Sequence, residues 1–202
     1  MIEIKTNKKY QVIYLDPPWK YGGSGGTKWS PASHYYDVMP LEDIIAMKPE
    51  IDKISDEDSC MMFMWCCGPT IKDAITLGEA WGFEYMTMAF VWYKERANVG
   101  NYTMSQCEYV LLFKKGKIPQ DRERHIGTHQ FLSCPIGEHS QKPYIIRDRI
   151  TQLFPDSNKI ELFSRCTADG WDCWGNALND DNSVIEGIKL NNKLKITNKR
   201  LF

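Results

Sequence analysis

A carboxylate, two residues without an N–H donor and an indole stand together at residues 16–19, which read Asp-Pro-Pro-Trp. They directly follow residues 10–15, an apolar run with the composition of a buried strand. Because Pro17 and Pro18 carry no N–H, the turn offers carbonyl acceptors and no donors at those positions. Ligand sites in open α/β sheets lie at the carboxyl ends of strands, where Asp16 is predicted. The combination suits a flat ring that carries an amino group.

The same residues also fit a purely structural interpretation, because Asp-Pro often opens a turn and Pro-Pro ends a strand. Three features favour a ligand site: the clear strand before Asp16, the aromatic Trp19, and the glycine-rich stretch at residues 21–26. A loop of that composition is flexible enough to close over a substrate.

The composition is that of one globular domain. The chain has 202 residues, 43% hydrophobic and 25% charged, enough for a single sizeable core. Its formal net charge is −1, so nucleic-acid binding would depend on local basic patches. The first residues are polar, without the apolar region of a signal peptide, and no apolar run approaches the length of a membrane span. A cytoplasmic location is expected.

Cysteine and histidine spacing does not predict a metal site. The seven cysteines include no Cys-x-x-Cys pair, and zinc ligation requires paired spacing. Most of them lie in apolar strand-like runs, which indicates small core residues. The histidines within 125–139 have no partner at ligand spacing, and no role is assigned to them.

Apolar runs and helical patterns alternate along the chain. Strand-like runs, dense in Val, Ile, Met and aromatic residues, cover 10–15, 60–66, 85–93, 108–113 and 159–163. Helical spacing of apolar residues covers 41–47, 70–81 and 143–154. The stretches 20–37, 94–106 and 114–141 are predicted to be irregular. This alternation predicts an α/β fold in which helices flank a mostly parallel central sheet.

The sequence shows no internal repeat or low-complexity linker, so residues 1–183 are predicted to form a single domain. The tail at 184–202 differs from it in charge, because five basic residues stand against Glu186. This tail is predicted to form either a final strand pair or a loosely held basic arm.

Three further motifs follow Asp-Pro-Pro-Trp. Residues 140–143 read Ser-Gln-Lys-Pro at the start of a predicted helix, 159–165 read Lys-Ile-Glu-Leu-Phe-Ser-Arg, and 171–176 read Trp-Asp-Cys-Trp-Gly-Asn. In this order the four motifs resemble the MT-A70 family of S-adenosylmethionine-dependent N6-adenine methyltransferases, over about residues 10–178. The resemblance implies a Rossmann-like methyltransferase fold whose catalytic motif precedes the cofactor motifs.

The resemblance also implies a cofactor site for S-adenosyl-L-methionine, beside Asp16. Lys142 would pair with the methionine carboxylate, and Phe163 would pack against the adenosine. Arg165 and Asn176 would hydrogen-bond the ribose. Without the family, Lys142 is an ordinary residue at a helix N-terminus, Arg165 a surface cation and Asn176 part of a turn.

The Asp-Pro-Pro-Trp motif suits methylation of an aromatic amine. The adenine N6 amine is a poor nucleophile because its lone pair is delocalised into the ring. Acceptors on both of its N–H bonds, the Asp16 carboxylate and the Pro17 carbonyl, would localise that lone pair. A sulfonium methyl is already electrophilic, so the site needs positioning and a suitable field rather than a metal or a covalent nucleophile. The predicted catalytic set is Asp16, Pro17, Pro18 and Trp19.

Three side chains are candidates for contact with the substrate base. Trp19 and Tyr36 would stack on the adenine, which must be flipped out of a duplex to reach such a pocket. Trp19 also fits simple core packing, because an aromatic at the mouth of a site commonly does both. Glu108 fits either a hydrogen bond near the substrate or an ordinary strand-edge charge.

A basic segment at 114–125 is a candidate for phosphate contacts. It begins with Lys114 and Lys115, which are predicted to bind the nucleic acid. Asp121 and Glu123 partly cancel its charge, so a solvated surface loop is the alternative.

The sequence therefore predicts an S-adenosylmethionine-dependent N6-adenine methyltransferase that acts on nucleic acid and not at a membrane. DNA is favoured over RNA because the compact form resembles microbial and phage members, and no zinc finger or RRM-like module is visible. Two alternatives stay open: an RNA adenosine methyltransferase and a catalytically inactive nucleic-acid-binding subunit. The intact first motif with Lys142 and Arg165 argues against the second. Relatives work as dimers, which leaves a homodimer and a heterodimer open.

Overall fold

The computed structural model describes residues 3–20, 38–100, 102–123, 127–137 and 141–175. Its strands are β1 (Val12–Leu15), β2 (Ser59–Cys66), β3 (Glu84–Asn98), β4 (Ser105–Gly116), β5 (Phe131–Ser133), β6 (Lys159–Leu162) and β7 (Asp172–Trp174). Its α-helices are α1 (Leu41–Ile45), α2 (Lys48–Ile54), α3 (Ile71–Ala80) and α4 (Tyr144–Leu153), with a 3-10 turn at Gly68–Thr70.

These strands form one seven-stranded sheet in the order β5-β3-β4-β2-β1-β6-β7. Neighbouring strands are parallel except at β4, which runs antiparallel to β2 and β3. In the interior, Leu15 of β1 pairs with Met64 of β2 on one side and with Leu162 of β6 on the other. The chain leaves β1 toward β2 and later returns to its other side at β6. Strand order therefore reverses at β1, and open α/β sheets bind ligands at the carboxyl edge of such a point.

Helices cover both faces of the sheet, which explains why its central strands are almost continuously apolar. Ile13 of β1 packs with residues of α1, α2 and α3 on one face, and Val12 packs with α4 on the other. The Trp81 indole N–H donates to the Ile44 carbonyl at 3.2 Å and ties the end of α3 to α1.

Strands β3 and β4 form a long hairpin whose turn lies at the carboxyl edge of the sheet. Because β4 runs against the other strands, its first residues rather than its last lie at this edge. The register of the hairpin shifts between Tyr93 and Asn98, where β3 bulges. Beyond this bulge the turn exposes Val99, Tyr102 and Met104, with 89%, 100% and 54% of their surfaces in solvent.

The predicted strands are confirmed as β1, β2, β3, β4 and β6, and with them the mostly parallel α/β sheet. The helices predicted at 70–81 and 143–154 are confirmed as α3 and α4. The helix predicted at 41–47 is shorter, because the chain turns after Ile45 and continues as α2. Pro49 lies in the first turn of α2, where its missing N–H costs no helical hydrogen bond.

The prediction that 94–106 and 114–141 are irregular is wrong in part. Strand β3 runs on to Asn98, β4 spans Ser105–Gly116, and β5 lies at Phe131–Ser133. These polar stretches are strands because their backbones pair within the hairpin and at the edge of the sheet. The sequence pattern also does not reveal α2 or β7, which are short and depend on packing against the rest of the fold.

Other features of the described residues bear on location and cofactors. No helix among them is long and apolar enough to cross a membrane. Within the same ranges no group of His, Cys, Asp and Glu could hold a metal ion. The seven cysteines, all of which lie in the described ranges, form no disulfide, and Cys60, Cys66 and Cys173 are buried. The domain boundary at 183 and the tail at 184–202 lie outside the described residues.

Candidate active site

Four charged side chains, which we call the edge cluster, lie at the carboxyl edge of the sheet: Asp16, Lys142, Glu108 and Lys94. The Lys142 nitrogen is 2.8 Å from Asp16 Oδ2 and 3.2 Å from Glu108 Oε2. The other carboxylate oxygen of Glu108, Oε1, is 3.2 Å from the Lys94 nitrogen. The side chains of Lys142, Asp16 and Glu108 keep 20%, 27% and 19% of their surfaces exposed, so a ligand can reach them.

Separate elements supply the edge cluster. Asp16 directly follows β1, Glu108 lies near the start of β4, Lys94 lies in β3, and Lys142 precedes α4. Strand β2 separates β1 from β4, so the two carboxylates stand on backbones about 10 Å apart, or two strand spacings. Lys142 closes that gap, with its nitrogen 5.5 Å from the ring centre of Trp65 in β2.

Opposite charges in the edge cluster favour the ionised forms. Burial acts to raise the pKa of Glu108, but the ammonium groups of Lys142 and Lys94 outweigh it and hold this pKa below its ordinary value. Burial acts to lower the pKa of Lys142, but the carboxylates of Asp16 and Glu108 outweigh it and raise this pKa. With two cations and two carboxylates, the cluster is formally neutral.

Backbone hydrogen bonds fix the Asp-Pro-Pro-Trp turn. The Pro17 carbonyl accepts the Trp19 N–H at 2.7 Å, and the Pro18 carbonyl accepts the Met39 N–H at 2.8 Å. A carbonyl oxygen has two lone pairs, so one hydrogen bond leaves Pro17 able to accept another. The predicted acceptor role of Pro17 requires that capacity.

Trp19 is a buried residue, with 6% of its surface exposed, and it packs in the core on the face covered by α1, α2 and α3. Its indole N–H donates to the Trp65 carbonyl at 3.1 Å. The indole therefore ties the turn after β1 to the end of β2. Its stacking on an adenine stays a prediction.

Two of the predicted cofactor residues, Phe163 and Arg165, follow β6, on the side of Asp16 away from Glu108. Strand β6 pairs in parallel with β1, so Phe163, which directly follows β6, lies beside Asp16 at the edge. Phe163 has φ +58°, and its ring meets Trp174 edge to face with centroids 5.5 Å apart. Arg165 is exposed on the same turn. The structure thus gathers Asp16, Lys142 and Phe163 at one edge.

Gly175 lies against backbone, which explains the glycine of the fourth motif. A Cβ at this position would lie 2.2 Å from the Ser164 oxygen and 2.6 Å from the Ser164 nitrogen. The Ser164 N–H also donates to the Trp174 carbonyl at 3.0 Å. The turns after β6 and β7 are therefore locked together immediately before Asn176.

Lys94, Arg147 and Glu161 are not among the predicted site residues. Arg147 of α4 donates to Glu161 Oε2 of β6 at 2.6 Å, which anchors the helix that follows Lys142 to the sheet. Lys94 directly follows the apolar run 85–93, and a lysine continuing a buried strand is the signal that could have identified it.

Lys114 and Lys115 do not join the edge cluster. They lie at the far end of β4 from Glu108, about 20 Å away along the strand. Lys114 is 3.1 Å from Glu84, and Lys115 is 2.9 Å from Asp52. Their contact with nucleic acid stays a prediction, to which these ion pairs lend no support.

Several predicted features lie outside the described residues: Tyr36, Asn176, the glycine-rich stretch 21–26, and the histidines at 125 and 139. The roles predicted for Tyr36 and Asn176 therefore stay predictions.

The reversal of strand order at β1 and the charged cluster at its carboxyl end define a Rossmann-like α/β fold with a candidate ligand site at the switch point. The family model MT-A70 matches residues 10–177. The chain belongs to the MT-A70 family, which confirms the resemblance seen in the four motifs.

Similar proteins come from a bacterium and from plants. Type II methyltransferase M.MunI from Mycoplasma sp. is 45% identical over 194 residues, which cover 88% of this chain and 82% of the relative. A Medicago truncatula protein named as an MT-A70-like N(6)-adenosine-methyltransferase is 26% identical, over 90% of this chain and 28% of its own length. A rice protein, from Oryza sativa subsp. japonica, carries a similar name and is 23% identical, over 90% of this chain and 25% of its own length.

Proposed function

We propose that this protein transfers the methyl group of S-adenosylmethionine to the N6 amine of adenine in DNA. The observation that carries the proposal is the position of Asp16, at the carboxyl end of β1, where strand order reverses, and in contact with Lys142 of the second motif. Membership of the MT-A70 family supports the reaction, and the similarity to a type II methyltransferase supports DNA as the substrate. The plant proteins, whose names indicate adenosine methylation, are less similar.

The chemistry of the edge cluster fits S-adenosylmethionine. This cofactor carries a carboxylate, an ammonium and a sulfonium, so its site needs one cation and nearby negative charge. Lys142 supplies the cation for the carboxylate, and Asp16 supplies the negative charge. Phe163, partly exposed beside Asp16, offers an aromatic wall for the adenosine. We assign the ribose hydroxyls to Arg165 and Asn176.

The chain's own residues orient the amine for attack. The Asp16 carboxylate accepts one N6–H of adenine, and the Pro17 carbonyl accepts the other. With both N–H bonds engaged, the N6 lone pair is localised and aligned with the breaking bond. Bound S-adenosylmethionine supplies the electrophilic methyl. As the bond between N6 and the methyl group would form, the bond between the methyl group and sulfur would break with its electron pair left on sulfur, and N6 would then lose one proton to solvent.

Adenine in a duplex must leave the base stack to reach Asp16. We assign the walls of the base pocket to Trp19 and Tyr36. Glu108 bonds to two lysines in the structure, which favours support of the cofactor site over direct contact with the base.

The test is transfer of labelled methyl from S-adenosylmethionine to unmethylated duplex DNA, single-stranded DNA and RNA in parallel, followed by digestion to nucleosides. We expect N6-methyladenine in DNA. The matched control is Asp16→Ala, whose folding is to be checked by circular dichroism. Methyl transfer should be abolished in this variant because a hydrogen-bond acceptor is lost.

Each other outcome has a definite meaning. Label in RNA alone would show that the substrate is RNA and not DNA, as the RNA alternative predicts. Label in no substrate, with cofactor bound, would indicate an inactive subunit or a missing partner. Retained turnover in Asp16→Ala would contradict the chemistry assigned to the motif.

A further inference from the structure

Lys94, on β3, is a buried cation at the end of the edge cluster farthest from Asp16. It is 7% exposed, and its nitrogen donates to Glu108 Oε1 at 3.2 Å. The four motifs do not include Lys94, and the reaction described above does not use it. Removing an ammonium from water is costly, so a buried lysine beside an active site calls for a physical explanation.

The geometry of Glu108 supplies that explanation. Its carboxylate is divided, with Oε1 directed at Lys94 and Oε2 at Lys142. Lys142 is in turn shared between Glu108 and Asp16. Lys94 therefore takes up part of the attraction that Glu108 would otherwise direct at Lys142 alone.

We propose that Lys94 is a positioning residue that keeps the Lys142 ammonium available to the carboxylate of S-adenosylmethionine. Lys94 acts through Glu108 and touches neither cofactor nor substrate. Without its charge, the Glu108 carboxylate holds Lys142 more tightly and also repels an incoming carboxylate. The inference rests on the proposed function, because it requires that the cofactor carboxylate binds at Lys142.

The first test removes the charge of Lys94 and keeps most of its volume. In the Lys94→Met variant, S-adenosylmethionine should bind about tenfold more weakly by titration calorimetry, because the charge of Glu108 is no longer compensated. Lys94→Arg keeps the charge and should stay within about threefold of the wild type.

A second variant distinguishes this role from simple packing. In Lys94→Met combined with Glu108→Gln, the carboxylate that competes for Lys142 is also neutralised, so S-adenosylmethionine should bind about three- to tenfold more tightly than to Lys94→Met. If Lys94 only packs the hairpin, the double variant binds as weakly as Lys94→Met.

Lys159 offers a matched control at the amino edge of the sheet, opposite the edge cluster. It is 5% exposed, and its ammonium donates to the Phe154 carbonyl at 2.9 Å, at the amino end of β6. Lys159→Met should lower stability and leave cofactor affinity unchanged, because this lysine lies at the opposite edge from the cluster.

Wild-type affinity in Lys94→Met, or no recovery in the double variant, would overturn the inference and leave the proposed function intact. A wild-type protein that binds no S-adenosylmethionine would overturn both. If Lys94→Met does not fold, Lys94→Gln with and without Glu108→Gln gives the same comparison.

Discussion

Asp16 combines two properties at the scale of a single residue: it accepts hydrogen bonds and it carries a charge paired with Lys142. Asp16→Asn keeps the shape of the side chain but replaces an acceptor oxygen by an N–H2 donor. We expect the single-turnover rate of methyl transfer to fall about 100- to 1,000-fold, the usual cost of losing one preorganised electrostatic contact. An unchanged rate in the folded variant would refute the acceptor role.

Trp19 allows packing and base contact to be measured separately. Trp19→Phe keeps a ring and loses the N–H that bonds to Trp65, so the free energy of unfolding should fall by about 1–2 kcal/mol. Trp19→Ala also leaves a cavity and should cost about 3–5 kcal/mol in urea titrations. If the indole stacks on adenine as predicted, Trp19→Phe keeps most of the transfer rate and Trp19→Ala does not. Wild-type rates in folded Trp19→Ala would restrict Trp19 to packing.

At the scale of elements, the turns after β6 and β7 are in close backbone contact at Gly175 and Ser164. Gly175→Ala would place a methyl group 2.2 Å from the Ser164 oxygen, so the turns must separate. We expect a loss of about 1–3 kcal/mol, read as a lower melting temperature. Gly68→Ala is the control, because a Cβ there meets nothing within 4 Å. Equal effects of the two substitutions would show that the turns are not tightly packed.

The longer elements could be predicted from the sequence because packing imposes a clear pattern on them. Strand β2 is an unbroken run of buried apolar residues after Ser59, and helix α3 buries Ala74 and Leu77 at helical spacing. The extension of β3 from Glu95 to Asn98 could not be recognised, because these side chains are exposed to solvent and only backbone pairing makes the segment a strand. Strand β7 has three residues, too few to show a period.

Two residues of the site could be predicted from the sequence, but the contacts between its side chains could not. The motifs place Asp16 and Lys142 in one site through family resemblance. The bridge that Lys142 makes between Asp16 and Glu108 depends on β2 lying between β1 and β4, and strand order leaves no mark in the sequence. Lys94 enters the site for the same reason.

At the scale of the whole molecule, the edge cluster makes stability depend on pH. The folded-state pKa of Glu108 lies below its ordinary value of about 4.3, so its contribution is present above that pH and is lost as pH falls through the folded pKa. The folded-state pKa of Lys142 lies above its ordinary value of about 10.4, so its contribution is present below that pH and is lost in stronger alkali. The cluster therefore stabilises the fold throughout the neutral range.

Glu108→Gln tests the acid side of this dependence. At about pH 7 the free energy of unfolding of the variant should be about 1–3 kcal/mol lower than that of the wild type. The reason is that Lys94 and Lys142 lose a charged partner. The difference should shrink as the pH falls below about 4, where the wild-type carboxylate also becomes protonated. Urea titrations over this range measure it, and a difference that widens in acid would contradict the assignment.

The reversed direction of β4 has a consequence for how this molecule can change over evolution. Glu108 is held by a strand whose pairing with β2 begins at Tyr109, opposite Cys66. The exposed end of the hairpin, with Val99 and Tyr102, lies upstream of that anchored register. The tip can therefore lengthen, shorten or be replaced while the side chains of the edge cluster keep their places. A new partner or target sequence can therefore be recognised by the hairpin tip without any change in the edge cluster.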